Sequence, residues 1–327
     1  ANLAAAKALP RVLRLRGLAG QIVIDFAPMT KRDRPRLEQA LKAAGLDVQW
    51  HSVSPDADLE AQTEVTKPAD AAPLVTGFIQ NLGTKVADVV KEDRFPFVLG
   101  GDHAIAAGTW AGLTHALDAK QNFGLIWVDA HMDAHTPETS PSGALHGMPV
   151  AALLGHGVEG MVNAAGQGPS LKPEHVVLVG IRSYEEGEAK LLQDLGVKIF
   201  FMDEGKERGL AAVMHDALDI VTQNTQGFGI SIDLDGFDPQ DAPGVGSPEA
   251  GGIPFDGSLE AFESVATHPL LRGVEIAEYN PERDSEDQKT ARLARALLLT
   301  LLNLTTHKGD SSDGKQNHSA RKPLLCA

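Results

Sequence analysis

Phe123-Gly-Leu-Ile-Trp-Val-Asp129-Ala-His131-Met-Asp133 is the stretch that decides the fold. Its first half is a continuous apolar run, as a strand covered on both faces requires. Its second half switches without a spacer to alternating Asp, His and Asp. In an extended segment alternate side chains share a face, so positions 129, 131 and 133 point into one cavity. The same junction recurs where Phe228–Ile232 runs into Asp233-Leu-Asp235. Further apolar runs lie at Gln21–Phe26, Phe95–Leu99, Val176–Ile181, Val197–Phe201 and Val274–Ala277. Between them stand helical patterns at Arg34–Ala44, Leu74–Lys91, Ala104–Ala119, Ala189–Leu195, Ala211–Thr222 and Gln288–Leu304. This alternation predicts an α/β protein with three α-β-α layers around a mainly parallel sheet. No linker or internal repeat divides the chain. Residues 1–305 are therefore expected to form one domain and 306–327 a polar, loose tail.

Open α/β sheets bind ligands beyond the carboxyl ends of their strands. Gly100–His103, Asp129–His135, Asp233–Asp238 and Glu278–Pro281 each follow an apolar run and are expected on that rim. His103, Asp129, His131, Asp133, Asp233 and Asp235 together supply two imidazoles and four carboxylates. That set suffices for two cations if some carboxylates bridge. Mixed oxygen and nitrogen donors without thiolate favour Mn²⁺, and less selectively Fe²⁺, Co²⁺ or Zn²⁺. A Ca²⁺ cage would be built from carbonyl and carboxylate oxygens. Without cations the clustered carboxylates repel one another and their pKa values rise. His115, His156, His175 and His215 lie in helical or flanking contexts and read as surface or packing residues.

Bulk properties narrow the partners. A formal charge of −15 at pH 7 argues against nonspecific nucleic-acid binding; it reads first as ordinary solubility, and such a field would also attract a cationic substrate. The hydrophobic content of 43% supports a large core, yet no apolar run reaches the roughly 20 residues a bilayer span needs. Ala1–Gly20 carries scattered arginines without the apolar segment and cleavage site of a secretory signal. Cys326 is the only cysteine, so no disulfide can form within the chain. A reducing, cytoplasmic setting is expected.

These segments, together with Ser142-Gly-Ala-Leu-His146-Gly147 and Glu278-Tyr-Asn280-Pro281, resemble the ureohydrolase superfamily and most closely the arginase family. The likeness covers roughly residues 95 to 305. It implies two Mn²⁺ per subunit and hydrolysis of a guanidinium group by a metal-bridging hydroxide, turning L-arginine into L-ornithine and urea. It places His103, Asp129, Asp133 and Asp233 on one ion, and Asp129, His131, Asp233 and Asp235 on the other. Asp133, His146 and Glu278 would be catalytic: Asp133 in proton transfer beside the ions, His146 as proton shuttle, Glu278 facing the guanidinium. Substrate contacts would come from His135, Ser140, Ser142, Glu185, Glu188 and Ser247. A homotrimer or hexamer is implied as well. His135 and Ala144 stand where the family carries asparagines, and Glu185 where it carries an aspartate.

The chemistry has a physical rationale in these residues. Resonance makes a guanidinium carbon a poor electrophile, so an activated water is needed. Imidazole titrates near physiological pH and suits a shuttle, and a carboxylate orients a guanidinium through charge-assisted hydrogen bonds. The hydroxyl-rich turn Thr136–Gly143 favours a substrate with a carboxylate, and Glu185 with Glu188 favours one with an α-ammonium. L-Arginine is therefore expected. The alternatives are a ureohydrolase acting on 4-guanidinobutyrate or agmatine, and a catalytically silent metal-binding protein of the same fold.

Overall fold

A computed structural model of the chain describes residues 67–119 and 122–302. The expected strand Gln21–Phe26, the helix Arg34–Ala44 and the tail 306–327 lie outside these residues. The described part opens with α1 (Ala72–Lys91), β1 (Phe97–Leu99), α2 (Ile105–Ala116) and β2 (Gly124–Val128). It continues through α3 (Pro149–Leu153), α4 (Glu159–Val162), β3 (Val176–Ile181), α5 (Glu186–Leu195) and β4 (Lys198–Phe201). Then come α6 (Met202–Arg208), α7 (Leu210–Thr222), β5 (Phe228–Asp233), α8 (Ser258–Ala266), β6 (Leu271–Ala277) and α9 (Lys289–Leu301).

The six strands form one sheet in the order β1-β6-β5-β2-β3-β4, and every pairing is parallel. From β2 the chain winds outward through β3 and β4, then returns to lay β5 on the other side of β2. That reversal opens a crevice beyond the carboxyl ends of β2 and β5, the place where such sheets take ligands. Asp129 follows β2 directly, and Asp233 ends β5.

Side chains alternate between the two faces of each strand. Ile126, Val128, Val177, Val179, Ile230 and Ile232 pack with Met214, Phe262 and Leu297, from α7, α8 and α9. Leu125, Trp127, Val176 and Leu178 pack on the opposite face with Trp110, Val150 and Leu192, from α2, α3 and α5. The three layers expected from the sequence are therefore present. Outside the sheet, α1 and α2 cross at very short range. A Cβ on Gly112 would stand 2.2 Å from the carbonyl oxygen of Gly83, so only glycine allows the approach. Among the described residues, no helix is long and apolar enough to cross a membrane.

Several local expectations needed correction. Val197–Phe201 read as a strand covered on both faces, yet β4 is a sheet edge with Lys198 and Phe201 exposed. Its short apolar run resembles that of a central strand because one face still packs on the core. Gln288 read as helical, but its φ of 55° is left-handed and α9 begins one residue later. The short helices α3, α4 and α6 were not anticipated, and neither was α8. α3 is buried throughout, so it carries no amphipathic period to read.

Candidate metal centre

Each ligand candidate is delivered by a strand end. His103 follows the Gly100-Gly101 turn after β1, and the Gly100 N–H extends the ladder to Ile276 at 2.9 Å. Its ring stacks on Trp127 at 4.0 Å between centroids. Its Nδ1 lies 2.9 Å from Asp233 and 3.3 Å from both Asp129 and Asp133. The Asp129 N–H donates to Val179 at 3.0 Å, so the sheet itself places this carboxylate. Trp127 Nε1–H donates to Asp129 Oδ2 at 2.8 Å, and the His131 N–H donates to Oδ1 at 2.7 Å. His131 Nδ1 faces Asp235 at 3.2 Å. The result is two clusters, His103/Asp129/Asp133/Asp233 and Asp129/His131/Asp235, with Asp129 common to both.

The residues converge, but not as a plain extended strand would bring them together. Asp133 has φ 48°, a left-handed conformation, and Asp235 sits in a 3₁₀ turn spanning Leu234–Gly236. Asp233 Oδ1 accepts the Asp235 N–H at 2.7 Å, which folds that turn back over the strand end. Asp233 joins the His103 cluster alone, whereas the resemblance assigns it to both ions. Glu278 is left-handed too, at φ 62°. Such backbone persists in non-glycine residues where the surroundings over-determine it, and it collects at functional sites.

The electrostatics of the cluster call for cations. Burial, together with the charge of Asp129, pushes the Asp133 and Asp235 carboxyls up, and burial with Asp235 pushes Asp233 up further. Burial also opposes charge on Asp129, but His103 and His131 outweigh it and hold that carboxyl low. Burial would lower His131, yet Asp129 and Asp235 push it up to about 12. His103 rises well above the imidazole range on its carboxylate partners, against its own burial. Protons on the imidazoles thus offset part of the negative charge. Divalent cations fit this donor set: oxygen and nitrogen atoms within 4.8 Å of one another in each cluster, no thiolate, and a surplus of buried carboxylates.

Glu278 and His146 stand beside these clusters. Glu278 Oε1 accepts the His103 N–H at 2.8 Å, and the Glu278 N–H donates to Gly101 at 2.6 Å. His146 Nδ1 is 3.7 Å from the same Oε1, an ion-pair distance rather than a hydrogen bond. Glu278 pushes His146 up to about 9, with burial opposing and Asp102 and Asp133 assisting.

The expected substrate contacts divide into two kinds. His135 is buried, its Nε2 3.0 Å from Glu185 Oε2 and its Nδ1 3.1 Å from Thr139 Oγ1. Glu185 is open to solvent, with its side chain 59% exposed. Glu188 is buried and committed to structure: its oxygens accept the N–H groups of Glu185 at 3.0 Å and Ala134 at 3.2 Å. With Glu185 it forms the capping box of α5. The Ser140 and Ser142 hydroxyls accept turn N–H groups from Gly143 and Ala144. Ser247 is half-buried in the loop after β5.

Sequence reasoning missed the supports behind the ligands. Arg182 donates to the carbonyls of Asp235 and Glu249 at 2.8 Å, Gly236 at 3.1 Å and Ala250 at 3.2 Å, pinning the loop after β5. Its only signal was a position directly after β3. Trp127, two residues before Asp129 and on the same face, could have been read from alternation. The buried pair Ser231 and Glu275 had no signal beyond polarity inside apolar runs.

A doubly wound sheet with paired His/Asp clusters at its switch point defines a class of α/β proteins built around cations. Comparison with known proteins narrows the class. The sequence profile described as "Arginase family" matches residues 24–303. The chain is 46% identical to the arginase of Bacillus caldovelox over 222 residues, which cover 68% of this chain and 73% of that protein. The crystal structure of Bacillus caldovelox arginase matches with a TM-score of 0.73 at 36% identity, covering 87% of this chain and 98% of that one. The Entamoeba histolytica arginase solved with L-ornithine gives 0.72 at 25% identity, covering 86% and 98%. The chain belongs to the arginase family.

Proposed function

We propose that the protein hydrolyses the guanidinium group of L-arginine to urea and L-ornithine, using two Mn²⁺ ions. The observation that carries this reading is the pair of ligand clusters sharing Asp129, with Glu278 and His146 beside them. His103, Asp129, Asp133 and Asp233 would hold one ion; Asp129, His131 and Asp235, with Asp233, the other. When bound, such cations supply Lewis acidity that lowers the pKa of water from 15.7 to about 7.

The protein's own groups handle the rest. Glu278, held by the His103 N–H, orients the guanidinium through charge-assisted hydrogen bonds. Asp133, its carboxyl raised by burial and by Asp129, is suited to accept the proton lost by the attacking water and pass it to the leaving nitrogen. Water adds to the guanidinium carbon, its bond to the side-chain nitrogen breaks, and that nitrogen departs protonated. His146, kept protonated by Glu278 near neutrality, exchanges protons between this site and solvent. Ser140, Ser142, His135 and Ser247 would meet the substrate carboxylate and Glu185 its ammonium, while Glu188 fixes the helix that carries Glu185. L-Ornithine, the ligand of the Entamoeba histolytica arginase, has both groups.

The His135–Glu185 contact at 3.0 Å favours a second reading. A Glu185 already paired is a weaker ammonium partner, which would shift preference to 4-guanidinobutyrate. Urea release from arginine, 4-guanidinobutyrate and agmatine after Mn²⁺ loading decides between them. Arginine should give the highest kcat/KM; a rate far below that of guanidinobutyrate would overturn the substrate assignment. No urea from any of them would favour a silent metal-binding protein. A homotrimer or hexamer and a cytoplasmic location belong to the same proposal. Light scattering should return three or six times the 34.6 kDa of one chain.

A further inference from the structure

Glu275 is a fully buried carboxyl in the middle of β6, and the reaction described above does not use it. Its neighbours Val274 and Ile276 belong to the core on one face of the sheet, so Glu275 points to the other. A buried carboxylate is costly unless it is paired, so its place in a central strand needs a reason. Trp110 of α2 lies close by on that face, admitted by Gly229, whose Cβ would come within 2.0 Å of the indole. The Thr109 hydroxyl and the Trp110 indole N–H also face the Glu275 carboxyl and favour its charged form, although neither they nor Oε2 reach hydrogen-bond geometry among the described residues. One hydrogen bond of good geometry reaches the carboxyl. Ser231, register partner of Glu275 on β5, donates its hydroxyl to Glu275 Oε1 at 2.7 Å.

The same Ser231 oxygen lies 2.9 Å from His103 Nε2. A hydroxyl has a single hydrogen, and here the carboxylate takes it. Toward His103 the serine oxygen can therefore only accept, so Nε2 must carry the ring proton. In a neutral imidazole that leaves the lone pair on Nδ1. Nδ1 is the atom facing Asp129, Asp133 and Asp233. Stacking on Trp127, at an interplanar angle of 13°, holds the ring plane while the hydrogen-bond chain sets its direction.

We propose that Glu275, acting through Ser231, is a positioning residue that fixes the tautomer and orientation of His103 for cation binding. The proposal rests on the metal-centre reading above. The test measures Mn²⁺ affinity and stoichiometry by chelator competition for the native protein, S231A, E275Q, E275M and the S231A/E275M double variant. Melting of each metal-free protein is followed alongside. S231A and E275M should each weaken one of the two sites by about 10- to 100-fold, as loss of an outer partner of a ligating histidine does. The double variant should bind no worse than either single one, because both cut the same chain. E275Q keeps an acceptor oxygen and should stay closer to native affinity than E275M.

Native affinity at both sites in S231A and E275M would overturn the proposal, as would additive losses in the double variant. A lower metal-free melting temperature with unchanged affinity would reduce Glu275 to a packing role, and E275Q falling as far as E275M would remove its role as acceptor. If E275M does not fold, S231A decides: loss at one site supports the chain, retention at both overturns it. A native protein that binds no Mn²⁺ would defeat the metal-centre reading itself, which is distinct from native binding with unaffected variants.

Discussion

The two ends of the crevice are built differently. At the metal end, His103, Asp129, Asp133, Asp233 and Asp235 are at most 8% exposed and come directly from the ends of β1, β2 and β5. Backbone ladders, Trp127 and Arg182 hold them or their loops in place. At the outer end, His135, Ser140 and Ser142 sit on a turn-rich loop, and Glu185 stands exposed at the start of α5. Charges in the first region act at low effective dielectric, where a lost partner is costly; those in the second are screened by solvent. The difference separates what the core enforces from what a loop can vary and, on the proposed function, chemistry from recognition.

Breaking the metal end should have the largest effect. Asp129→Asn removes the carboxylate common to both clusters and should cut kcat/KM by on the order of 10³-fold or more, with Mn²⁺ lost from at least one site. Turnover within tenfold of native, with both ions retained, would mean the clusters are not joined through Asp129. His146→Ala should come next, lowering kcat by about 10²-fold, the usual worth of a general acid or base. Metal content should hold, since His146 belongs to neither cluster that shares Asp129; loss of manganese would contradict a shuttle role.

The pH profile sharpens the same comparison. His146 is raised from 6.5 to about 9, so its proton is present at neutrality and lost as pH rises through about 9. Activity should decline on that alkaline limb, and a profile flat beyond pH 10 would exclude the assignment. By linkage, the stability from its pairing is complete below about pH 6.5 and disappears over the same rise.

Smaller effects should appear in the support behind the metal end and at the outer end. Arg182→Met removes charge-assisted bonds to several carbonyls of the loop after β5 and should cost about 2–3 kcal/mol, read as a lower melting temperature. Unchanged melting would show that the loop holds its shape without the guanidinium. Glu185→Gln should raise KM for arginine by only about 3- to 10-fold at constant kcat, as expected for a solvent-screened contact. A fall in kcat instead would erase the proposed boundary between recognition and chemistry.

Much of the site was legible because its signal is local. An apolar run ending in Asp129-Ala-His131-Met-Asp133 announces both a strand and the rim beyond it, and Ser231-Ile-Asp233-Leu-Asp235 repeats the message. The roles of Glu188 and Arg182 were not legible. A glutamate three residues after Glu185 reads as a substrate contact, and its hydrogen bonds to the N–H groups of Glu185 and Ala134 appear only in the folded chain. Apart from a bond to Gly180, Arg182 acts on backbone carbonyls contributed some fifty or more residues away, which no local pattern encodes.

By itself the sequence determined the layering, the strand ends and the inventory of donors, because hydrophobic period and residue type are properties of neighbours along the chain. The order β1-β6-β5-β2-β3-β4 belongs to the tertiary structure alone. So do the left-handed turns at Asp133 and Glu278 and the route from Glu275 through Ser231 to His103. These depend on contacts between segments far apart in sequence, and such contacts exist only once the sheet has brought those segments side by side.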